Sequence, residues 1–470
     1  MNDKHYLTTP IYYVNDRPHI GHAYTTIVAD VLARYWRRRL GNDKVFFLTG
    51  TDEHGAKIER AACKLGMSPK EFADSVSAKY QATWKSLKLT PDYFIRTTDP
   101  EHEKIVVELV SKLHETGDIY KGEYAGRYCV ACEEYKQQNE LLDGNKCPIH
   151  KTIIEEVKEE VYFFRLSNYQ KQLLYIIDKG EMTIFPESRK NEIVNFVKSG
   201  LQDIAISRSN VGWGIKLPWD KQHTLYVWVD ALFNYYSAPK MLSKDYFPPD
   251  EQFIGKDILR FHVVIWPAML LALGLLLPRQ LVVNGYFTVN GEKMSKTLGN
   301  VIDPLKITST WGNDALRYYL LRDLSFSEDG DFSWDRFKQR YESELSNALG
   351  NLVQRVLSMV NRYEIDIVEK NTPELESVNL KLESYDFSGA LDVIWEKIAR
   401  ANAEIEKQRP WQLSKEGKLA ELSIHLNELY ADIQSIADAL SSLLPETSQK
   451  ILSQLKSLEP SPIFPRIDTE

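Results

Sequence analysis

Cysteine is scarce in this chain: four in 470 residues, three of them packed between Cys129 and Cys147. That usage excludes the dispersed pairs of a disulfide-stapled secreted protein and predicts a reducing compartment. Signal-peptide character is missing too. Met1-Asn2-Asp3-Lys4-His5 has no apolar stretch and runs directly into the strand-like segment from Tyr6 to Tyr13, so the expected location is the cytoplasm. The most apolar run, Val263 to Leu277, is too short to span a bilayer and is broken by Pro267; it reads as a buried core helix, and no membrane partner is expected. Basic excess is lacking as well, since the net charge is −8. A general polyanion binder is thereby excluded, and any nucleic-acid partner must be met locally. No G-x-x-x-x-G-K-[ST] phosphate loop occurs, and Gly212-Trp213-Gly214 is not completed to G-x-G-x-x-G. Repeats and low-complexity tracts are absent.

What is present is the material of a large globular protein: 43% hydrophobic and 26% charged residues. The length predicts two to four structural units. Residues 1–112 alternate short apolar runs with amphipathic stretches, including a helical pattern from Ala23 to Leu40 closed by Gly41, and predict a parallel α/β sheet. Residues 113–222 are charge-rich and carry the clustered cysteines, as an inserted subdomain would. β-type sequence returns at Thr224 to Val229, and residues 223–290 read as the second half of the sheet domain, with Leu281 to Asn284 a buried strand. Residues 291–340 begin with a glycine-flanked polar loop. In 341–470, Leu345, Leu349, Leu352 and Val356 recur at helical spacing and predict a helical bundle, ending in a proline-rich extended tail.

Three groups of residues carry chemistry. His19 and His22 fall in the first turn of the helix after the first strand, where exposed N–H groups and two imidazoles suit phosphate oxygens and Gly21 permits close approach; a capping turn with incidental histidines is the alternative. Lys293 and Lys296, three apart in the polar loop, suit a polyphosphate whose charge develops during transfer, unless they form only a solvated basic loop. Cys129-Val130-Ala131-Cys132 and Cys147-Pro148-Ile149-His150 supply three thiolates and one imidazole. This is a closed tetrahedral set for one structural Zn²⁺ per chain, with buried reduced cysteines as the alternative. Cys63, in a helical stretch, is assigned to packing.

His19-Ile20-Gly21-His22 and Lys293-Met294-Ser295-Lys296-Thr297 resemble the HIGH and KMSKS signatures of the class I aminoacyl-tRNA synthetases, with Thr297 standing where the second signature has serine. Pro10-Ile11-Tyr12-Tyr13-Val14-Asn15, Thr51-Asp52-Glu53-His54-Gly55, Tyr226-Val227-Trp228-Val229-Asp230-Ala231 and Phe253-Ile254-Gly255-Lys256-Asp257-Ile258 make the resemblance that of the methionyl-tRNA synthetases. The resemblance implies a Rossmann-like catalytic domain in two halves, an inserted zinc-knuckle connective subdomain, a stem-contact region after the KMSKS loop and an all-α anticodon-binding bundle. It implies activation of L-methionine with ATP and Mg²⁺, then transfer to methionine tRNA, initiator tRNA included. His19, Gly21, His22, Lys293 and Lys296 would act on ATP, with His19, His22, Lys293 and Lys296 catalytic. Ile11, Tyr13, Trp228, Tyr235, Ile258 and His262 would hold methionine, and Asp52 its ammonium group. Asn351, Arg355 and Trp411 would read the CAU anticodon, although by composition alone they are a polar helix face and a core aromatic.

Two readings compete. A synthetase for isoleucine, valine or leucine would carry a large editing insertion, and the metal knuckle leaves no room for one here. A tRNA-binding regulatory protein without activation would be expected to have lost the phosphate contacts. A monomer is the default expectation.

Overall fold

The computed structural model describes residues 3–129, 134–136, 141–148, 151–294, 300–368 and 373–467. Contacts divide the chain into two compact units. One comprises Met1–Pro18, Leu40–Lys85 and Thr90–Val283; the other comprises His19–Arg39, Ser86–Leu89 and Asn284–Glu470.

The strands of the first unit, in chain order, are β1 His5–Tyr13, β2 Val45–Asp52, β3 Tyr93–Arg96, β4 Ile119–Cys129, β5 Glu134–Lys136, β6 Glu155–Phe164, β7 Thr183–Phe185, β8 Ile204–Ala205, β9 Ser207–Arg208, β10 Thr224–Leu225, β11 Glu251–Gly255 and β12 Gln280–Asn284. Six of them form one sheet in the order β3-β2-β1-β11-β12-β7, with β1 parallel to both β2 and β11. This is a Rossmann-like sheet. The chain builds outward from β1 on one side and returns to its other side at β11, so the order reverses beside β1, where such sheets bind ligands beyond their carboxyl ends. β2 is buried along its whole length, as a central parallel strand requires. At Gly50 a Cβ would lie 2.1 Å from the Ile95 carbonyl oxygen, so only glycine allows β3 to approach this closely. The β1 register shifts between Thr8 and Ile11, where Pro10 has no N–H to give the ladder.

Between β3 and β11 the chain forms an antiparallel sheet in the order β5-β4-β6-β8, while β7, from the same stretch, joins the parallel sheet beside β12. β9 and β10 form a short antiparallel pair. The β-type pattern expected over Thr224 to Val229 ends at Leu225, and Val227–Leu232 is helical. Val227, Val229, Ala231 and Leu232 are all buried there, and that burial overrides the strand preference of the two valines. Cys63 is exposed beside buried Ala62 on the helix Ala56–Lys64, which overturns its assignment to packing.

In the second unit, strands β13 Phe287–Val289, β14 Glu292–Lys293 and β15 Gly330–Phe332 form a small sheet. Helices follow from Pro304 to Ser457, and Leu345, Leu349, Leu352 and Val356 are all buried as their spacing predicts. Helix Pro304–Trp311 starts at an Asp-Pro pair, with the Asp303 carboxylate capping the Leu305 N–H at 2.9 Å. Helix Ile20–Leu40 is tied into this unit by buried Arg317. Its Nη1 donates to Asp30 at 2.7 Å, and Nε and Nη2 donate to the carbonyls of Leu443 and Ser442 at 2.8 and 3.1 Å. Removing one partner of such a buried pair costs about 3 to 5 kcal/mol. The proline-rich tail buries Ile463 and Phe464, and Tyr341 donates to the Pro465 carbonyl. Among the described residues no helix is long and apolar enough to cross a membrane.

Candidate active site

In the first unit, the carboxyl ends of β1 and β2 bring Tyr13 and Asp52 into register as neighbours, and the Val14 N–H donates to the Asp52 carbonyl at 3.1 Å. Ile11 lies on the same strand, partly buried against the core. Asp52 is buried. Trp228 stands on helix Val227–Leu232 and stacks on Phe261 at 4.0 Å between ring centroids. Tyr235 is buried on helix Asn234–Met241, and its hydroxyl meets His262 Nε2 at 2.8 Å. His262 Nδ1 lies 3.0 Å from the carbonyl of Ile258. A carbonyl only accepts, so Nδ1 carries the proton and Nε2 accepts from Tyr235. Burial pushes the His262 pKa down to about 4, partly offset by the Ile258 bond, and the ring is neutral at physiological pH. Burial raises the Tyr235 pKa, partly offset by a hydrogen bond with Asn234, with Tyr12 and Asp52 adding to the rise. The result is an uncharged aromatic wall with one carboxylate within electrostatic reach of it.

In the second unit, His19 stands one residue before helix Ile20–Leu40, and the His19 and His22 rings stack at 3.7 Å. The Gly21 N–H donates to His19 Nδ1 at 3.1 Å, and the His19 N–H donates to His22 Nδ1 at 3.3 Å. Burial, with His19 adding, holds the His22 pKa well below its ordinary value. With each Nδ1 accepting, each Nε2 carries the donor hydrogen. A Cβ at Gly21 would come within 3.1 Å of the His19 ring and 3.2 Å of Met294 Cε, so the start of the lysine-bearing segment lies against this turn. Lys293 ends β14, and Lys296 lies outside the described residues.

Cys129 ends β4, and Cys147 lies in a turn where its N–H donates to the Thr152 carbonyl at 2.9 Å. Both cysteines are buried in one small cluster with Ile154; Cys132 and His150 lie outside the described residues. Two thiols brought together from a strand end and a turn fit half of a zinc knuckle. The cluster is also too small to be a core in its own right, the situation in which a metal staple is used. Among the described residues no group of three metal-ligating side chains occurs.

Asn351 is exposed at the start of helix Asn351–Arg362, and Arg355 pairs with Glu406 at 2.7 Å. Trp411 is 37% exposed, so it is not a bundle-core residue.

A family model described as tRNA synthetases class I (M) matches residues 5–152 and 136–357. Methionine–tRNA ligases of Caldanaerobacter subterraneus and Streptomyces coelicolor are 45% and 44% identical, each over 97% of this chain and over 74% and 90% of their own lengths. The chain belongs to the methionine–tRNA ligase family. A solved Mycobacterium tuberculosis methionyl-tRNA synthetase in complex with methionyl-adenylate superposes with a TM-score of 0.91 at 36% identity, over 98% of this chain and all of that one. The isoleucine, valine and leucine alternatives are set aside by these relatives.

Sequence reasoning gave no role to the buried polar groups near Asp52 and Trp228. Glu53 is fully buried, receiving Arg96 Nε and Nη2 at 2.7 and 2.8 Å and the Thr51 hydroxyl at 2.7 Å. His54 Nδ1 and His102 Nε2 meet the two oxygens of buried Asp230 at 2.6 and 2.9 Å, and His102 Nδ1 meets the Ser237 hydroxyl at 2.6 Å. Burial works to lower the His54 pKa, but Asp230 and then Glu103 outweigh it and push it up to about 10. Only the strings around Asp52 and Trp228 hinted at Glu53, His54 and Asp230; His102 had no sequence signal.

Proposed function

We propose that this methionine–tRNA ligase holds the methionine side chain among Ile11, Tyr13, Trp228, Tyr235, Ile258 and His262, and the α-ammonium group on Asp52. The observation that carries this reading is a buried carboxylate beside an uncharged aromatic wall whose histidine is kept neutral. An unbranched thioether with no charge suits such a wall, and an ammonium group suits the carboxylate. In the first step the methionine carboxylate attacks the α-phosphorus of ATP, forming methionyl-adenylate and releasing pyrophosphate. The adenylate in the related M. tuberculosis structure supports that intermediate. In the second step the 3′-terminal hydroxyl of tRNA attacks the adenylate carbonyl and AMP leaves.

His19 and His22 donate Nε2–H bonds to phosphate oxygens, Gly21 lets the nucleotide close on the backbone, and Lys293 and Lys296 hold the departing pyrophosphate. Enzymes of this family generally use Mg²⁺ with ATP, where it offsets phosphate charge. Cys129, Cys132, Cys147 and His150 hold one Zn²⁺, which orders the insertion 113–222 and leaves no open position for catalysis. In 341–470, Asn351, Arg355 and Trp411 read the CAU anticodon of elongator and initiator tRNA, and the protein acts as a monomer in the cytoplasm. The regulatory alternative is disfavoured because His19, His22, Lys293 and Lys296 are all retained in the sequence.

Single-turnover kinetics of Lys296→Ala test the reading. The rate of adenylate formation should fall about 10²- to 10³-fold while methionine affinity is kept, because the lysine acts on charge that develops in transfer. A normal chemical rate with weakened methionine binding would overturn it.

A further inference from the structure

Two strings beside the pocket are joined by a buried charge network. Asp52 and His54 lie two residues apart where β2 ends, and Trp228 and Asp230 lie two apart on helix Val227–Leu232. The Asp230 carboxylate spans the gap, one oxygen 2.6 Å from His54 Nδ1 and the other 2.9 Å from His102 Nε2. His102 stands on helix Pro100–Glu115 and continues through its Nδ1 to Ser237, at 2.6 Å, on the helix that carries Tyr235. Thus one chain of contacts reaches the three elements bearing Asp52, Trp228 and Tyr235. The Asp52 turn is held from its other side by Glu53 on Arg96. His54, His102, Asp230 and Ser237 are all buried; beyond them, His54 Nε2 faces the partly exposed Glu103 carboxylate at 3.5 Å and the Ser237 hydroxyl donates to the Asn234 carbonyl at 3.4 Å.

We propose that His54, Asp230 and His102 are positioning residues for methionine, fixing the Asp52 carboxylate relative to the Trp228 ring; the inference rests on the pocket assignment above. Buried ion pairs are weak stabilisers compared with apolar packing of the same volume, so stability alone does not account for this cluster. A site held to within about half an ångström needs side chains locked by a supporting layer of hydrogen bonds, and this network supplies one across two elements that are far apart in sequence. The His54 imidazolium is kept charged by Asp230 and Glu103 against burial, and Asp230 is kept ionised by both histidines against the same burial, so the tie persists at neutral pH.

Methionine-dependent pyrophosphate exchange, with KM measured separately for methionine and ATP and with thermal unfolding recorded beside it, tests the proposal. Asp230→Asn and His54→Gln should each raise the methionine KM about tenfold, as coupled neighbours do, and leave the ATP KM within about twofold. Asp52→Asn combined with Asp230→Asn should lose less than the product of the single effects, because the network acts through Asp52. A folded Asp230→Asn protein with an unchanged methionine KM, or with equal rises in both KM values, would overturn the proposal. If both buried variants unfold, Ser237→Ala removes only the last hydroxyl. It should raise the methionine KM about two- to threefold, and no change there would likewise overturn the network. Asp52→Asn alone is the control: if it leaves the methionine KM unchanged, the pocket assignment itself falls, a result distinct from failure of the network.

Discussion

His54 and His262 belong to the same unit and are both buried, yet they end in opposite protonation states. His262 faces a carbonyl and a phenol, and burial pushes its pKa down to about 4. His54 faces Asp230 and Glu103, which overcome burial and push it up to about 10. In the unfolded chain both sit near about 6.5. For His54 the folded state therefore binds more protons between about 6.5 and 10, so its stabilisation is full below that window and is lost as pH rises through it. The melting-temperature gap between wild type and His54→Gln should be widest at the bottom of this window, at about pH 6.5, and shrink toward its top; a gap that widens with pH across the window would contradict the assigned ion pair. At this level the sequence was most readable where the residues were contiguous. Tyr13 and Asp52 stood within recognisable strings, whereas His54, His102 and Asp230 meet only through the fold, and no spacing rule links them.

Strands and helices were legible where a single period or cap decided them. The parallel sheet, the helix closed by Gly41 and the buried stripe through Leu345, Leu349, Leu352 and Val356 followed from alternation and helical spacing. Val227 to Val229 did not, because two valines favour a strand and only burial makes the segment a helix. Cys63 failed for the related reason that a helix has an outer face, and a lone thiol does not reveal which face it occupies. The β4–β6 ladder runs from Ile119 paired with Phe164 to Tyr128 paired with Glu155, just short of Cys129. With little apolar sequence beyond it, the proposed knuckle would depend on its metal. Metal analysis should find one zinc per wild-type chain and a marked loss in Cys147→Ser, with aminoacylation reduced through local disorder. A chelator-free wild-type preparation without zinc would contradict the assignment.

For the molecule as a whole, the sequence divided the chain by texture, and the structure divides it by contacts, with helix Ile20–Leu40 grouped with residues 284–470. No local pattern announces that grouping, because it rests on contacts between residues far apart in the chain, such as Arg317 to Asp30, Thr25 to Asn284 and Arg38 to Ser441. The exposed Trp411 ring predicts a separation of activities. Trp411→Ala should spare methionine-dependent pyrophosphate exchange and the melting temperature, while losing about 1 to 3 kcal/mol of stacking on an anticodon base and so charging CAU-bearing tRNA poorly. Normal charging by the folded variant would remove the anticodon role. The most direct test of the whole account is pyrophosphate exchange by the wild-type protein with each of the twenty amino acids in turn. Exchange driven by methionine far above all others is the predicted result; exchange driven by another amino acid, or by none, would contradict it.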